Sequence, residues 1–396
     1  MTGVRTLRTY LRTFPAAQQP DWEGHAGLGR VTEELTSLPP LVDARDVDAL
    51  HARLAAVAGG KAQVIQSGDC AEDWAEAGHG DVARKVGLLE MLAGVMRMAS
   101  HKPVVRVGRL AGQYAKPRSR PTEFVGGVEL PVYRGHMVNG PEPDPEVRRP
   151  DPLRMLTGYQ ASCAVVELLG WSDRRERSGR IPHDTPVWTS HEALLLDYEL
   201  PLVRRQEDGR LLLTSTHWPW IGERTRQVDG AHVALLAAVA NPVACKVGPG
   251  MTVGELLALC DTLDPERTPG RLTLIARMGA DRVGERLPAL VAAVRAAGHP
   301  VTWLTDPMHG NTVSAPDGLK TRLVDTVVRE VVEFHHAVTG AGGVAGGMHL
   351  ETTPEAVTEC VSDPEGLHEV GDKYTSFCDP RLNPRQAVAV ASAWLG

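Results

Sequence analysis

The chain has 396 residues, 42% hydrophobic and 23% charged, with a formal net charge of −7 at pH 7. That composition sustains a large core, in one large domain or two ordinary ones, and excludes a disordered chain; an acidic balance with no basic tail excludes a nucleic-acid binder. No run approaches the ~18 uninterrupted apolar residues of a membrane span. The arginine-bearing N-terminus has no apolar signal core, and the 6 cysteines lie far apart without a C-x-x-C pair. The expectation is a cytoplasmic protein with neither a disulfide framework nor a zinc ribbon.

Residues 1–60 stand outside the pattern that follows, and read as an N-terminal extension packing on the rest or on a second subunit. From 61 to 396, strand-length apolar runs fall at 63–66, 103–107, 187–190, 211–215, 242–247, 272–276, 301–304 and 343–350. Helical periods separate them. Asp81 is the expected cap of a helix with a stripe of Val82, Val86, Leu89, Ala93 and Met96, and Asp151-Pro152 opens a helix reaching about Gly170. Thr252 with Glu255 reads as a capping box. Further helices are expected over 287–297, ending at Gly298, and over about 321–337, with cap-like starts at Thr353-Pro354 and Asn383-Pro384. The segment 135–152 reads as a surface loop and 171–186 as a short polar connection. Eight alternations without a Gly-rich dinucleotide fingerprint favour a (β/α)8 barrel over an open doubly wound sheet.

In such a barrel the active site is built at the C-terminal ends of the strands, so polar residues just after apolar runs carry the chemistry. Cys70, Arg109, Glu223 with Arg224, Lys246, Arg277, His309 and Glu351 stand there, with Asp379 in the Gly- and Asp-rich tail. Cys70, His309, Glu351 and Asp379 form a mixed soft and hard donor set that suits manganese, iron, cobalt or zinc. Each has a bland reading: Cys70 as a small buried hydrophobe, Asp379 as a turn residue before Pro380, and Glu351 in competition with His349 on the same strand face. Arg118 and Ser119 after Pro117 make a phosphate clamp, a guanidinium fork beside a hydroxyl. Several cations held together imply a phosphorylated, anionic ligand.

The motifs Gly68-Asp-Cys-Ala-Glu72, Arg109–Ser119, Trp220–Gln227, Lys246-Val-Gly-Pro249, Arg277-Met-Gly279, Asp306–Thr312, His349-Leu-Glu351, Thr358-Glu-Cys360 and Asp379–Asn383 occur in this order from about residue 60 to the end. In them the chain resembles the type II, plant-type 3-deoxy-D-arabino-heptulosonate 7-phosphate (DAHP) synthases. The resemblance implies a (β/α)8 barrel condensing phosphoenolpyruvate with erythrose 4-phosphate in the first step of the shikimate pathway. It implies one divalent ion, Mn2+ or Co2+, with Fe2+ or Zn2+ as alternatives, on Cys70, His309, Glu351 and Asp379, which favours Glu351 over His349. It implies phosphoenolpyruvate on Arg109, Lys116, Glu223, Arg224, Lys246 and Arg277 with Asp306 beside them, and the sugar phosphate on Arg118 and Ser119. Lys116 is the expected proton donor, on the reasoning that a lysine among cations has a lowered pKa.

Two departures stand out. Val132 and His136 occupy places where longer, primary-metabolism members usually carry Ser and Asp, and 171–186 is too brief for the helical insertion that forms an aromatic-amino-acid site. The expectation is a short form without that feedback control, feeding secondary metabolism, or an enzyme for an amino or imino sugar phosphate; a catalytically silent regulatory barrel is the reading from another class. The N-terminal segment points to a homodimer or higher homo-oligomer. Cys378, adjoining Asp379, is expected near Cys70 and able to pair with it on oxidation.

Overall fold

The computed structural model describes residues 3–22, 24–125, 127–171 and 186–395, without the Arg5 side chain; most of the connection 171–186 therefore lies outside the described residues. Eight strands, all paired in parallel, close into a barrel: β1 (Gln63–Gly68), β2 (Val104–Arg109), β3 (Val187–Glu192), β4 (Trp218–Ile221), β5 (Val243–Val247), β6 (Leu272–Ala276), β7 (Thr302–Thr305) and β8 (Val344–Glu351), each beside its sequence neighbour, with β8 closing on β1. Buried on both faces, these strands read in sequence as apolar runs rather than alternations.

Side chains two apart along a strand share a face. Val64, Val105, Trp188, Ala244, Ile275 and Leu304 form an apolar floor inside the barrel, sealed from below by Leu50, Leu54 and Val57 of a helix, Ala44–Ala58. The next inward steps above that floor are Gln66, Lys246, Arg277, Asp306 and His349, and at the rim Arg109, Glu192 and Glu351. One alternation thus runs from hydrocarbon at the bottom to charge at the top, and aims each functional side chain.

The outer helices include His79–Ser100, Arg154–Leu168, Ala231–Ala238, Val253–Leu263, Val283–Ala296, Val324–Gly340 and Pro384–Ser392. The capping box of Thr252 with Glu255 forms, and Asn383 makes a second with Gln386. Asp81 lies in a first turn whose N-cap is Gly78. Thr353-Pro354 starts no helix; Thr353 only accepts from the Glu355 N–H, at 3.3 Å.

The sequence misplaces the fourth strand. Leu211–Leu213 leaves the barrel and pairs antiparallel with Val203–Arg205 in an outer hairpin. The barrel takes Trp218–Ile221, a run disguised by Pro219, which cannot donate to a ladder. Nor is 135–152 wholly a surface loop: residues 135–140 are buried, and only 142–146 and 149 are exposed. No helix among the described residues is long and apolar enough to cross a membrane.

Candidate active site

A cavity of about 900 Å³ opens at the C-terminal end of the barrel. Its wall includes Arg109, Lys116, Arg118, Arg120, Arg224, Lys246, Arg277 and Lys320 against the carboxylates Glu123, Glu129, Glu192, Glu223 and Asp379. The excess of cations is what a ligand carrying phosphate and carboxylate would offset.

At one side of this cavity, atoms of Cys70, Glu351 and Asp379 lie within 4.8 Å of one another. Cys70 Sγ is 3.6 Å from Asp379 Oδ2 and accepts from the Asp379 N–H at 3.4 Å. His309 Nε2 stands 3.5 Å from Glu351 Oε1. Its Nδ1 faces Asp306 Oδ2 at 2.8 Å, so the carboxylate takes the Nδ1 proton and leaves the Nε2 lone pair toward the cluster. Burial lowers the His309 pKa, although Asp306 and Glu351 pull the other way. Burial works against the Glu351 charge, but His309, Lys116, Arg322 and Arg109 outweigh it and hold the carboxyl well below its ordinary range. Burial, Cys378 and Glu351 push the Cys70 thiol up. The thiol and two carboxylates meet at one point, with the His309 imidazole beside Glu351 but outside that group of three; as a donor set the four fit a divalent ion of the manganese-to-zinc series.

His349 lies deeper than Glu351 and turns elsewhere. Its Nδ1 bonds Gln66 Oε1 at 2.7 Å and its Nε2 meets Arg109 Nη1. Arg109 is further tied to Asp69 O at 3.0 Å and Glu351 Oε1 at 3.2 Å, with its guanidinium 5.2 Å from the Trp220 ring centre. Lys246 pairs with Asp306, while burial, with Arg109 and Arg277 beyond it, lowers its pKa to about 8. Arg224 donates to Ser119 Oγ at 2.5 Å, and Arg118 pairs with Glu123 at 3.1 Å. Glu223 lines the cavity while accepting from Arg226 at 2.9 Å.

Three expectations change. Asp306 does not line the cavity; it is fully buried, bonded to Lys246 and His309, and acts by orienting them. Lys116 sits among anions, its Nζ 3.6 Å from Glu351 and 4.0 Å from Asp379; burial opposes its charge, but Cys70, Glu351 and Asp379 outweigh this and raise its pKa, opposite to the direction expected. His136 does not line the cavity either: it stacks on Trp74 at 4.8 Å and faces Asp73 at 3.3 Å, whereas Val132 does reach the wall. Five charged lining residues escape the sequence reading: Arg120, Glu123, Glu129, Glu192 and Lys320. Glu192 obeys the same rule as the others, but its run is cut at Ser190. Lys320, 2.8 Å from Asp379 Oδ1, comes from the hairpin Thr312–Ser314 with Lys320–Arg322, which carries no apolar signal.

Cys378 is in hydrogen-bond contact with Cys70, and both thiols are free. Air exposure of chelator-treated protein is expected to join them, a disulfide seen by mass spectrometry after alkylation, with added Mn2+ protecting both. Two alkylated thiols after prolonged exposure would contradict this.

A family model described as the class-II DAHP synthetase family matches residues 6–173 and 170–394. The chain is 57% identical over 380 residues to a probable phospho-2-dehydro-3-deoxyheptonate aldolase of Pseudomonas fluorescens, covering 96% of this chain and 94% of that one. It is 41% identical to the phospho-2-dehydro-3-deoxyheptonate aldolase of Streptomyces coelicolor, covering 96% and 94%, and 38% identical to that of Neurospora crassa, covering 96% and 92%.

Proposed function

The chain belongs to the class-II DAHP synthetase family and is a DAHP synthase, and on that premise we propose that it condenses phosphoenolpyruvate with erythrose 4-phosphate in the barrel-top cavity, with one divalent ion on Cys70, His309, Glu351 and Asp379. The observation that carries the reading is the convergence of Cys70, Glu351 and Asp379 within 4.8 Å beside a cavity of about 900 Å³ rich in cations. When bound, the ion supplies Lewis acidity that polarises the aldehyde.

Arg109, Arg224, Lys246 and Arg277 hold the phosphate and carboxylate of phosphoenolpyruvate, with Glu223 contributing through water. Arg118, Ser119 and Lys320 take the sugar phosphate. Two anchored anions set C3 of the enol ether against the aldehyde carbon, an ordering that contributes roughly 7–11 kcal/mol when geometry is good. The carbon–carbon bond forms, Lys116 gives the proton for the new hydroxyl, and water adds at C2; one of its protons restores the Lys116 ammonium through solvent, and the other leaves on the phosphate as the C2–O bond breaks and C2 becomes the ketone. Consumption of phosphoenolpyruvate should require erythrose 4-phosphate, cease with a chelator and return with Mn2+ or Co2+. Undiminished turnover in chelator would overturn the metal assignment, and no turnover under any condition would overturn the reaction.

Erythrose 4-phosphate is preferred to an amino or imino sugar because His136, the residue that raised the second reading, faces Asp73 and Trp74 rather than the cavity. The short 171–186 connection supports a role in secondary metabolism without aromatic feedback, and tryptophan at sub-millimolar concentration is expected to leave the rate unchanged; inhibition there would oppose it.

Lys246 gives the reaction a pH dependence. With a pKa of about 8 in the free site, it takes up a proton when the anionic substrate arrives, since a nearby negative charge favours the ammonium. Below that pH the lysine is already charged and affinity is flat in this group. Above it, the dissociation constant for phosphoenolpyruvate should rise by up to about tenfold per pH unit. In Lys246→Met, calorimetric titration should show this slope vanish. The sign for folding is the reverse: the lowered pKa is a cost present below pH ~8 and relieved as pH climbs toward the ordinary lysine value.

A further inference from the structure

Arg277 and His309, given separate tasks above, stand on adjacent loops after β6 and β7 that touch backbone to backbone. Gly279 has φ 85° and Gly310 φ 110°; a Cβ on Gly310 would lie 2.9 Å from Gly279 N, and one on Gly279 would lie 3.1 Å from Gly310 O. Neither position accepts a side chain without parting the loops.

Behind this contact stands Glu330, in the helix Val324–Gly340, fully buried and with no ion-pair partner among the described residues. Its Oε1 accepts from Met278 N at 3.2 Å and Gly279 N at 3.0 Å, and its Oε2 accepts from Asn311 Nδ2 at 2.5 Å. Asn311 Oδ1 accepts from Ala280 N at 3.0 Å, and Nδ2 also donates to Pro307 O at 2.8 Å. The Ala280 N–H fixes the orientation of the Asn311 amide, so the donor side must face Glu330. Burial lifts the Glu330 carboxyl to about 8, against the pull of Asn311 and of the Gly279 and Met278 N–H groups, so an acid without a cation is costly to keep here. Packing alone would be met by an apolar side chain, and the polar contacts of this one all go to the two loops.

Resting on the function proposed above, we propose that Glu330 with Asn311 is a positioning pair that fixes the spacing between the phosphate-binding Arg277 and the metal-binding His309. The pair touches neither substrate nor ion. Its effect is read as a joint loss at two sites that share no ligand atom.

Glu330→Gln keeps the volume and the acceptor for Met278 and Gly279, but sets an NH2 against the NH2 of Asn311, so the link between the loops breaks. Asn311→Asp removes the amide donor and sets a second acid against Glu330, carboxylate against carboxylate above pH ~8, and the variants are compared there. The double variant E330Q/N311D restores the link with its polarity reversed, the introduced amide donating to the introduced carboxylate, while Ala280 keeps its acceptor. Each single variant, folded by circular dichroism, is expected to raise the KM for phosphoenolpyruvate and weaken Co2+ binding in chelator competition by about tenfold each. The KM for erythrose 4-phosphate should stay within about twofold, and the double variant should recover part of both losses, since the Pro307 carbonyl still lacks the donor that Asn311 gave it. The proposal is overturned if folded E330Q keeps both quantities within about twofold of the parent, if both substrates' KM values rise equally, or if the double variant is no better than the singles. If E330Q does not fold, N311D and the double variant decide by the same criteria. Should the parent fail to turn over phosphoenolpyruvate with erythrose 4-phosphate, the proposed function falls; the Co2+ titrations need no turnover and still judge the pair.

Discussion

Glu351→Gln is expected to lose both the metal site and a large part of the fold's stability. Glu351 is fully buried, and its carboxylate faces Arg322 at 2.9 Å, Arg109 at 3.2 Å, His309 at 3.5 Å and Lys116 at 3.6 Å. The amide removes a negative ligand and leaves Arg322, itself fully buried, facing neutral acceptors, the Pro380 carbonyl among them, in place of its carboxylate. Removing one partner of a buried pair costs about 3–5 kcal/mol, because the other charge stays buried without compensation. Lewis-acid stabilisation of several kcal/mol is lost with the ion, and at about 1.4 kcal/mol per tenfold this puts kcat/KM down by about 10³ or more. The two effects separate in the double variant E351Q/R322M. Replacing the pair by neutral groups should recover most of the thermal stability while activity and Mn2+ affinity stay lost. A stable single variant that still binds Mn2+ like the parent would remove Glu351 from the site.

The barrel is legible because parallel strands covered on both sides must be apolar, and because the capping box at Thr252 and the Asn383-Pro384 start depend on neighbours in sequence. The site is legible where an inward strand position meets a polar residue at the rim: Arg109, Lys246, Arg277 and Glu351 all follow that rule. Trp218–Ile221 fails it because Pro219 hides a strand, and Leu211–Leu213 imitates one while serving a hairpin. Depth is harder to read than face. His349 and Glu351 share a side of β8, yet one step along the alternation sends the imidazole to Gln66 and Arg109 and the carboxylate to the cluster. Charge environment is harder still: Lys116 reads as one cation among many, but its neighbours Glu351 and Asp379 arrive from more than 200 residues away in sequence. Glu330 is signalled only as an acid on the apolar stripe of Val324, Val327, Val331, Phe334 and Val338, which marks it as buried but does not say what it holds.

Lys116→Met is expected to separate proton transfer from binding. Lys116 is nearly buried, its main-chain N–H is anchored on Arg134 O at 2.8 Å, and its ammonium stands between Glu351 and Asp379 while lining the cavity. It therefore touches both the cluster that would hold the ion and the space in which the aldehyde oxygen must lie. Methionine keeps the length of the stem and removes the proton and the charge. Arg224, Lys246 and Arg277 remain to hold phosphoenolpyruvate, so its KM should change little, while kcat falls by about 10² to 10⁴, the usual worth of a positioned acid or base. Lys116→Arg tests the proton itself: a guanidinium keeps the charge but does not give up its proton, so kcat should stay low although the cation is restored. If instead the methionine variant keeps kcat and loses only KM, Lys116 contributes equally to ground and transition states and is a binding residue. Recovery by arginine would point the same way, to charge rather than proton delivery, and would leave the new hydroxyl to take its proton from water.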